Sequence, residues 1–190
     1  MKKVRDLILG LLFIIGVVAI VRTVFFGGTK EEKIVPAAET EIDTSLPLVN
    51  QLEQIFTLSG IRGTDLKINV AQGGYDIRFT HDFNIWDDTD FVNRALGSYV
   101  AFCQLAYEKT SANGITFYIW GTMIDSRGNE NDYNIFTMSM PKETFLSYKW
   151  DNIAGVNGKY EQIKSDCTLL DIYASIRNNM DTSKVHVTPP

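Results

Sequence analysis

The sequence predicts a single α+β domain behind one membrane-spanning segment. Three observations carry this prediction. An apolar run lies near the N-terminus, two stretches of strict apolar–polar alternation precede a segment with helical periodicity, and the rest has a globular composition. Apolar residues make up 45% and charged residues 22% of the chain, close to the averages for folded domains, which excludes a wholly disordered chain.

The N-terminal apolar run covers residues 7–26 and follows a short basic tail at residues 1–6. About twenty residues, each rising roughly 1.5 Å, cross the hydrocarbon core of a bilayer, which is about 30 Å thick. Arg22 interrupts the run only near its end, where its long stem can carry the guanidinium out to the headgroups. The sequence therefore predicts a transmembrane helix at 7–26.

A cleaved signal peptide is the alternative interpretation of a basic start followed by an apolar run. The small residues of a cleavage site are missing after the run, where residues 21–25 read VRTVF. No cysteine follows the run closely, which excludes lipoprotein processing. These features favour an uncleaved signal anchor.

The orientation of the anchor depends on its flanking charges, and three basic residues lie near each end of the run. A very short basic N-terminus before the first span usually stays in the cytoplasm. We therefore expect a single-pass protein of the cell membrane, with its N-terminus inside and its C-terminal domain extracytoplasmic.

A flexible linker is predicted at residues 27–45, which mix charged, Gly, Pro and small residues without an apolar period. A helix follows, with Ser45 as its N-cap, Pro47 in its first turn and its end at Ser59 and Gly60. Its apolar face consists of Leu48, Leu52, Ile55 and Phe56.

A β-hairpin comes next, because apolar and polar residues alternate over 66–70 and again over 75–79. Gly73 and Gly74 lie between these stretches and can adopt the positive φ that a tight turn needs. A long helix is then predicted to begin around Asp88 to Asp90 and to run to about Lys109, since its apolar residues recur at intervals of three and four.

Two further strands and two further helices complete the predicted domain, which covers residues 46–180 and precedes a disordered tail at 181–190. The third strand places Phe117 on one face, and the fourth does the same with Phe136 before Pro141 ends it. The final helix carries Tyr160, Ile163, Cys167, Leu170 and Ile176. The predicted fold class is α+β, a largely antiparallel sheet of about four strands (a ββαββ core) with helices packed on one face.

Charge and motifs exclude several classes of function. Residues 34–190 carry twelve basic and twenty acidic side chains, a net charge of −8. Such a surface repels phosphate groups, so nucleic acid is not expected as a partner. The P-loop, G-x-S-x-G, H-E-x-x-H and C-x-x-C motifs are absent, and the sequence predicts no cofactor and no metal site.

An acidic cluster containing His81, Asp82, Asp87 and Asp88 lies between the predicted hairpin and the long helix. A His beside carboxylates can act as a general base, and paired acids can serve a glycosidase-like hydrolase. The alternative is that these carboxylates cap the helix and favour its dipole. The spacing of a Ca²⁺ loop fails, because Trp86 occupies a ligand position.

The two cysteines, Cys103 and Cys167, both fall on apolar faces of predicted helices. Outside the cytoplasm they could form a disulfide that closes a long loop and stabilises the fold by about 4 kcal/mol. The alternative is a pair of buried thiols that behave as small hydrophobic side chains. Neither has the basic neighbour or His that would activate a catalytic thiolate.

Three aromatic residues, Tyr118, Trp120 and Tyr133, are expected on the sheet face opposite Phe117 and Phe136. If exposed, they would form a ligand or partner site, and burial beneath the last helices is the alternative. Together these features predict a binding module for a protein or small ligand in a cell-envelope assembly. A carboxylate-dependent envelope hydrolase is the rival function.

Overall fold

The computed structural model describes residues 41–124, 127–188 and 190 of the chain. The predicted anchor at 7–26 and the predicted linker up to residue 40 lie outside these residues. Within the described part, no helix is both long and apolar enough to cross a bilayer.

The described residues form helices and strands in an α+β arrangement, which confirms the predicted class. The helices are α1 (Leu48–Leu58), α2 (Asp88–Lys109), α3 (Lys142–Ser147), α4 (Trp150–Ile153), α5 (Tyr160–Asp166) and α6 (Ala174–Asn179), with a 3-10 helix at Thr182–Lys184. The strands are β1 (Gly63–Ala71), β2 (Gly74–His81), β3 (Ile115–Ile124), β4 (Glu130–Ser139) and β5 (Leu169–Ile172).

The sheet is mixed and has five strands in the order β1-β2-β3-β4-β5, which corrects the predicted number of about four. The strands β2 and β3 are parallel, and the other neighbours are antiparallel. The parallel pairing of β2 and β3 results from α2, whose 22 residues span about 33 Å at 1.5 Å per residue. A helix of that length carries the chain back along the sheet, so β3 starts at the same end as β2.

The fifth strand replaces part of the long final helix that the sequence predicts. The chain instead forms α5, then β5, then α6, and β5 pairs with β4 from Ser139↔Leu169 to Phe136↔Ile172. Apolar residues in this stretch are spaced as on a helix, but the free edge of β4 offers backbone hydrogen bonds to an extended segment. This non-local pairing outweighs the local helical pattern.

The β1–β2 hairpin and the first helix follow the sequence closely. Gly73 has a φ of +90° in the turn, while Gly74 is required for a different reason. A Cβ at Gly74 would lie 2.3 Å from the carbonyl oxygen of Gly114, where β2 and β3 begin side by side. Ser45, however, bonds to Asp43 and does not cap α1.

The core lies between α1, α2 and one face of the sheet, and aromatic rings fill its centre. The ring of Phe79 lies 5.0 Å from that of Phe56 on α1 and 5.6 Å from that of Phe117 on β3. Phe102 of α2 contacts Phe117 at 5.2 Å. These edge-to-face contacts fix α1 and α2 against the same face of the sheet.

The C-terminal segment 181–188 packs against the domain, whereas the sequence predicts a disordered tail there. Val185 is fully buried and Val187 is 3% exposed. The N–H of Gly155 donates to the carbonyl of Val187 at 3.0 Å. Two isolated valines in a polar segment give no periodic signal, so only the packed structure shows that they belong to the core.

Candidate functional site

The sheet face that points away from α1 and α2, here called the open face, is the main candidate surface. A row of five side chains crosses it, one from each strand in direct register: Lys67, Arg78, Tyr118, Thr137 and Asp171. The side chains of Lys67, Arg78 and Asp171 are exposed, and Tyr118 is half-buried. Thr137 is only 4% exposed, so the accessible polar surface of the row is interrupted between Tyr118 and Asp171.

Arg78 and Trp120 form the best-defined contact of the open face. The guanidinium carbon of Arg78 lies 3.8 Å from the centroid of the Trp120 ring, within the range of a cation–π interaction. The two residues lie on neighbouring strands, since Arg78 is opposite Tyr118 and Thr80 is opposite Trp120. Stacking restricts both long side chains before any partner arrives.

The indole N–H of Trp120 is buried and has no hydrogen-bond acceptor among the described residues. An unpaired buried donor costs about 1–3 kcal/mol. An acceptor from a partner would recover this energy, provided that a covering side chain moved. Arg78 and Lys67 likewise form no ion pair with a residue that the structure describes, so both cations on this face are available.

Asp76 and Tyr118 give the open face a partly dehydrated patch. Burial raises the pKa of the Asp76 carboxyl. Burial and the charge of Asp76 raise the pKa of the Tyr118 hydroxyl. Part of each group is therefore removed from water, which disfavours its charged form.

Tyr133 lies on the helix-side face, whereas the sequence places it beside Tyr118 and Trp120. A β-bulge shifts the β3–β4 register, so that Trp120 pairs with Asn134 and Gly121 with Tyr133. A one-residue shift moves each following side chain to the other face. The Tyr133 ring instead packs against Tyr173, with 5.3 Å between ring centroids.

The side chain of Asn134 stabilises this bulge. With its amide nitrogen turned toward the strands, it donates to the carbonyls of Ile119 at 3.1 Å and Phe136 at 3.0 Å. Its oxygen then accepts from the hydroxyl of Thr137 at 2.6 Å. These bonds satisfy carbonyls that the disrupted ladder leaves open, and they keep the open face polar next to Trp120.

The side chain of His81 packs among aromatic residues beside the core. Its ring packs 5.1 Å from Phe83 and 5.2 Å from Phe91, and its Nδ1 accepts from the Phe83 N–H at 3.3 Å. Burial lowers the pKa of this His, partly offset by Asp82. Asp82 itself forms an exposed ion pair with Arg62 at 3.3 Å. These contacts fix the imidazole beside the core.

The aspartates of the acidic cluster act mainly at the start of α2. Asp87 is the N-cap, and its carboxylate accepts from the N–H of Asp90 at 2.8 Å. Asp88 lies in the first turn, where a negative charge favours the helix dipole. No group of three or more potential metal ligands occurs within the described ranges.

A shallow polar cleft of about 440 Å³ separates the start of α2 from the C-terminal segment. Asp90, Asp181 and His186 are among the side chains that line it. Hydrogen bonds from Ser183 and Lys184 lower the pKa of Asp181, which keeps that carboxylate ionised. An ionised acid cannot serve as the general acid of a glycosidase, which needs a raised pKa.

Both cysteines are free thiols in the structure, so the possible disulfide is not formed. Cys103 is buried on α2, and Cys167 follows α5 as its C-cap residue. Burial raises the pKa of the Cys103 thiol, and burial with the charge of Asp166 raises that of Cys167 to about 12. Both therefore stay protonated and unreactive near neutral pH.

Trp86 is the exposed aromatic residue that the sequence interpretation missed. It is 85% exposed in the loop between β2 and α2. No signal in the sequence indicates this exposure, because an apolar residue directly before the N-cap normally packs against the helix.

No known protein-family model, curated protein or solved structure matches this chain.

Proposed function

We propose that this chain is a single-pass, membrane-anchored binding module of a cell-envelope assembly. Residues 7–26 hold it in the cell membrane with the N-terminus inside, and the extracytoplasmic domain binds a protein partner through the open face. The observation that carries the proposal is the stacked pair Arg78–Trp120 beside the orphaned indole N–H.

Residue types support a protein partner. Arg, Trp and Tyr are enriched among the residues that contribute most to protein–protein binding, and Arg78, Trp120 and Tyr118 lie together on one face of the sheet. Their partial order in the free protein reduces the entropy lost on binding.

Charge indicates which partner fits. Lys67 and Arg78 are neighbours across β1 and β2 on a domain whose overall charge is negative. A carboxylate-bearing segment of a partner protein can pair with both cations and accept from the indole N–H. A polyphosphate chain is disfavoured, because the remaining surface of the domain would repel it.

The hydrolase alternative, which uses His81, Asp82 and Asp88, has less support. The His81 ring packs on phenylalanines and Asp82 pairs with Arg62, so neither side chain is held toward a substrate.

A photo-cross-linking experiment in living cells tests the proposal. A benzoylphenylalanine at Tyr118 in the full-length protein is expected to give one discrete adduct with a second protein. The same probe at Glu53, which is exposed on α1, is the positional control.

The charge dependence of that adduct makes the test specific. Arg78→Glu is expected to reduce its yield about tenfold, a change of about 1.4 kcal/mol in binding. Lys149→Glu changes the net charge equally at an exposed site outside the sheet and should leave the yield unchanged. Equal adducts at Glu53 and Tyr118, or a yield that does not respond to Arg78→Glu, would contradict the proposal.

A further inference from the structure

Trp86 is the most exposed large apolar residue that the structure describes, at 85% of its surface. Its neighbour Ile85 is 42% exposed. An exposed tryptophan side chain forgoes the favourable burial of a large apolar surface. Trp86 and Ile85 are adjacent, so together they leave an apolar pair on the surface.

Trp86 does not make the contact with the first turn of α2 that is usual for an apolar residue before an N-cap. Asp87 is the N-cap of α2, so Trp86 precedes the cap and Phe91 is the fourth residue of the helix. In a hydrophobic staple these two positions pack together. Here Phe91 is 1% exposed and its ring instead contacts Phe83 at 6.1 Å, which leaves Trp86 outside the core.

The loop that carries Trp86 is held in a defined conformation. The N–H of Trp86 donates to the carboxylate of Asp90 at 3.1 Å, and the Nε of Arg94 donates to the same oxygen at 3.0 Å. At the other end of the loop, the N–H of Asp82 donates to the carbonyl of Arg62 at 3.1 Å. The indole is thus presented on a fixed support, which lowers the entropy cost of binding.

The surroundings of Trp86 are acidic. Residues 82–90 contain four aspartates and no Lys or Arg. Arg62 pairs with Asp82 and Arg94 pairs with Asp90, so four acids and two bases leave a local net charge of −2. This charge disfavours insertion into a membrane with anionic headgroups. It favours a protein surface that offers an apolar pocket bordered by basic side chains.

We propose that the Ile85–Trp86 loop is an anchor for a partner protein, in which Trp86 enters an apolar pocket whose rim carries Lys or Arg opposite Asp82 and Asp88. The Ile85–Trp86 loop shares no residue with the open face, since it follows β2 and belongs to no strand. Central tryptophans surrounded by a polar rim are typical of the residues that dominate binding energy.

The test is photo-cross-linking of the full-length protein in cells, with benzoylphenylalanine in place of Trp86. The control is the same probe at Val70, which is 74% exposed near the β1–β2 turn, at the opposite end of β2. We expect a protein adduct at Trp86 and none of the same mass at Val70. Mass spectrometry should place the cross-link at apolar residues flanked by Lys or Arg.

Charge and truncation variants complete the test. Asp82→Asn combined with Asp88→Asn should lower the adduct yield about tenfold, while Asp151→Asn, exposed on α4, should not. With the isolated partner, Trp86→Ala should weaken the complex at least about thirtyfold without changing the melting temperature of the full chain. The proposal would be overturned if no adduct formed, or if the adduct contained lipid or a second copy of the chain. It would also be overturned if the adduct yield did not change when Asp82 and Asp88 were replaced.

Discussion

The side-chain oxygen of Asn93 accepts a hydrogen bond from the backbone N–H of His186 at 2.8 Å. Asn93 lies on α2 and is only 5% exposed. Its amide nitrogen also lies 3.3 Å from Nδ1 of His186. This residue therefore connects the long helix to the C-terminal segment.

Replacing Asn93 tests whether that segment is part of the stable fold. Asn93→Ala leaves the His186 N–H without its partner and should lower the free energy of unfolding by about 1–3 kcal/mol. Denaturant titration of the full-length protein measures this change. The control Asn178→Ala, at an exposed site on α6, should change it by less than about 0.5 kcal/mol. Equal effects would mean that residues 181–188 are not docked.

The Arg78–Trp120 stack should be measurable as a coupling energy. In a double-mutant cycle with Arg78→Ala and Trp120→Ala, we expect about 0.5–1 kcal/mol of coupling in the free energy of unfolding, as for exposed cation–π pairs. The control is a parallel cycle with Lys164→Ala and Trp120→Ala. Lys164 is exposed on α5, so its replacement should show no coupling to Trp120. Additive effects of Arg78→Ala and Trp120→Ala would show that the stack is not formed in solution.

The pH dependence of stability should reveal the raised pKa of the Asp76 carboxyl. Burial raises the pKa of this carboxyl above its usual value of 3.8, so the folded state binds the proton more tightly than the unfolded state. Its stabilising contribution is present below pH 3.8 and is lost as the pH rises through the folded pKa. Asp76→Asn should therefore melt at a higher temperature than the wild type at pH 7, and the difference should shrink toward pH 3.8.

Thermal melting at several pH values measures the Asp76 effect. Asp171→Asn removes the same charge from an exposed position on the open face and corrects for the change in net charge. A melting difference for Asp76→Asn that is constant across the pH range would contradict the expected dehydration of this carboxyl.

The membrane topology can be tested with a cysteine at Thr40, in the predicted linker. A Cys167→Ser background removes the half-buried native thiol, while Cys103 is buried. In intact cells the new cysteine should react with a membrane-impermeant thiol reagent, because the basic N-terminal tail holds the N-terminus inside. Reversing the charges of Lys2, Lys3 and Arg5 should reduce labelling. Labelling only after lysis would place the domain in the cytoplasm.

The sequence by itself determined the elements whose signals are local. Alternation over 66–79 with Gly73 specified the hairpin, and helical spacing with Asp87 before it specified α2 from Asp88 to Lys109. In each of these segments, side-chain periodicity and backbone preference agree within one stretch of chain. The aromatic face of β3 with Tyr118 and Trp120 followed from the same period of two.

Only the tertiary structure decided how distant segments pair. The four-residue strand β5, the parallel contact of β2 with β3 and the burial of Val185 all depend on surfaces far away in the sequence. The bulge that turns Tyr133 away from the open face and the packing that leaves Trp86 outside the core have the same origin. Hydrogen bonding and burial between remote residues outweigh local periodicity at these positions, so no local pattern could reveal them.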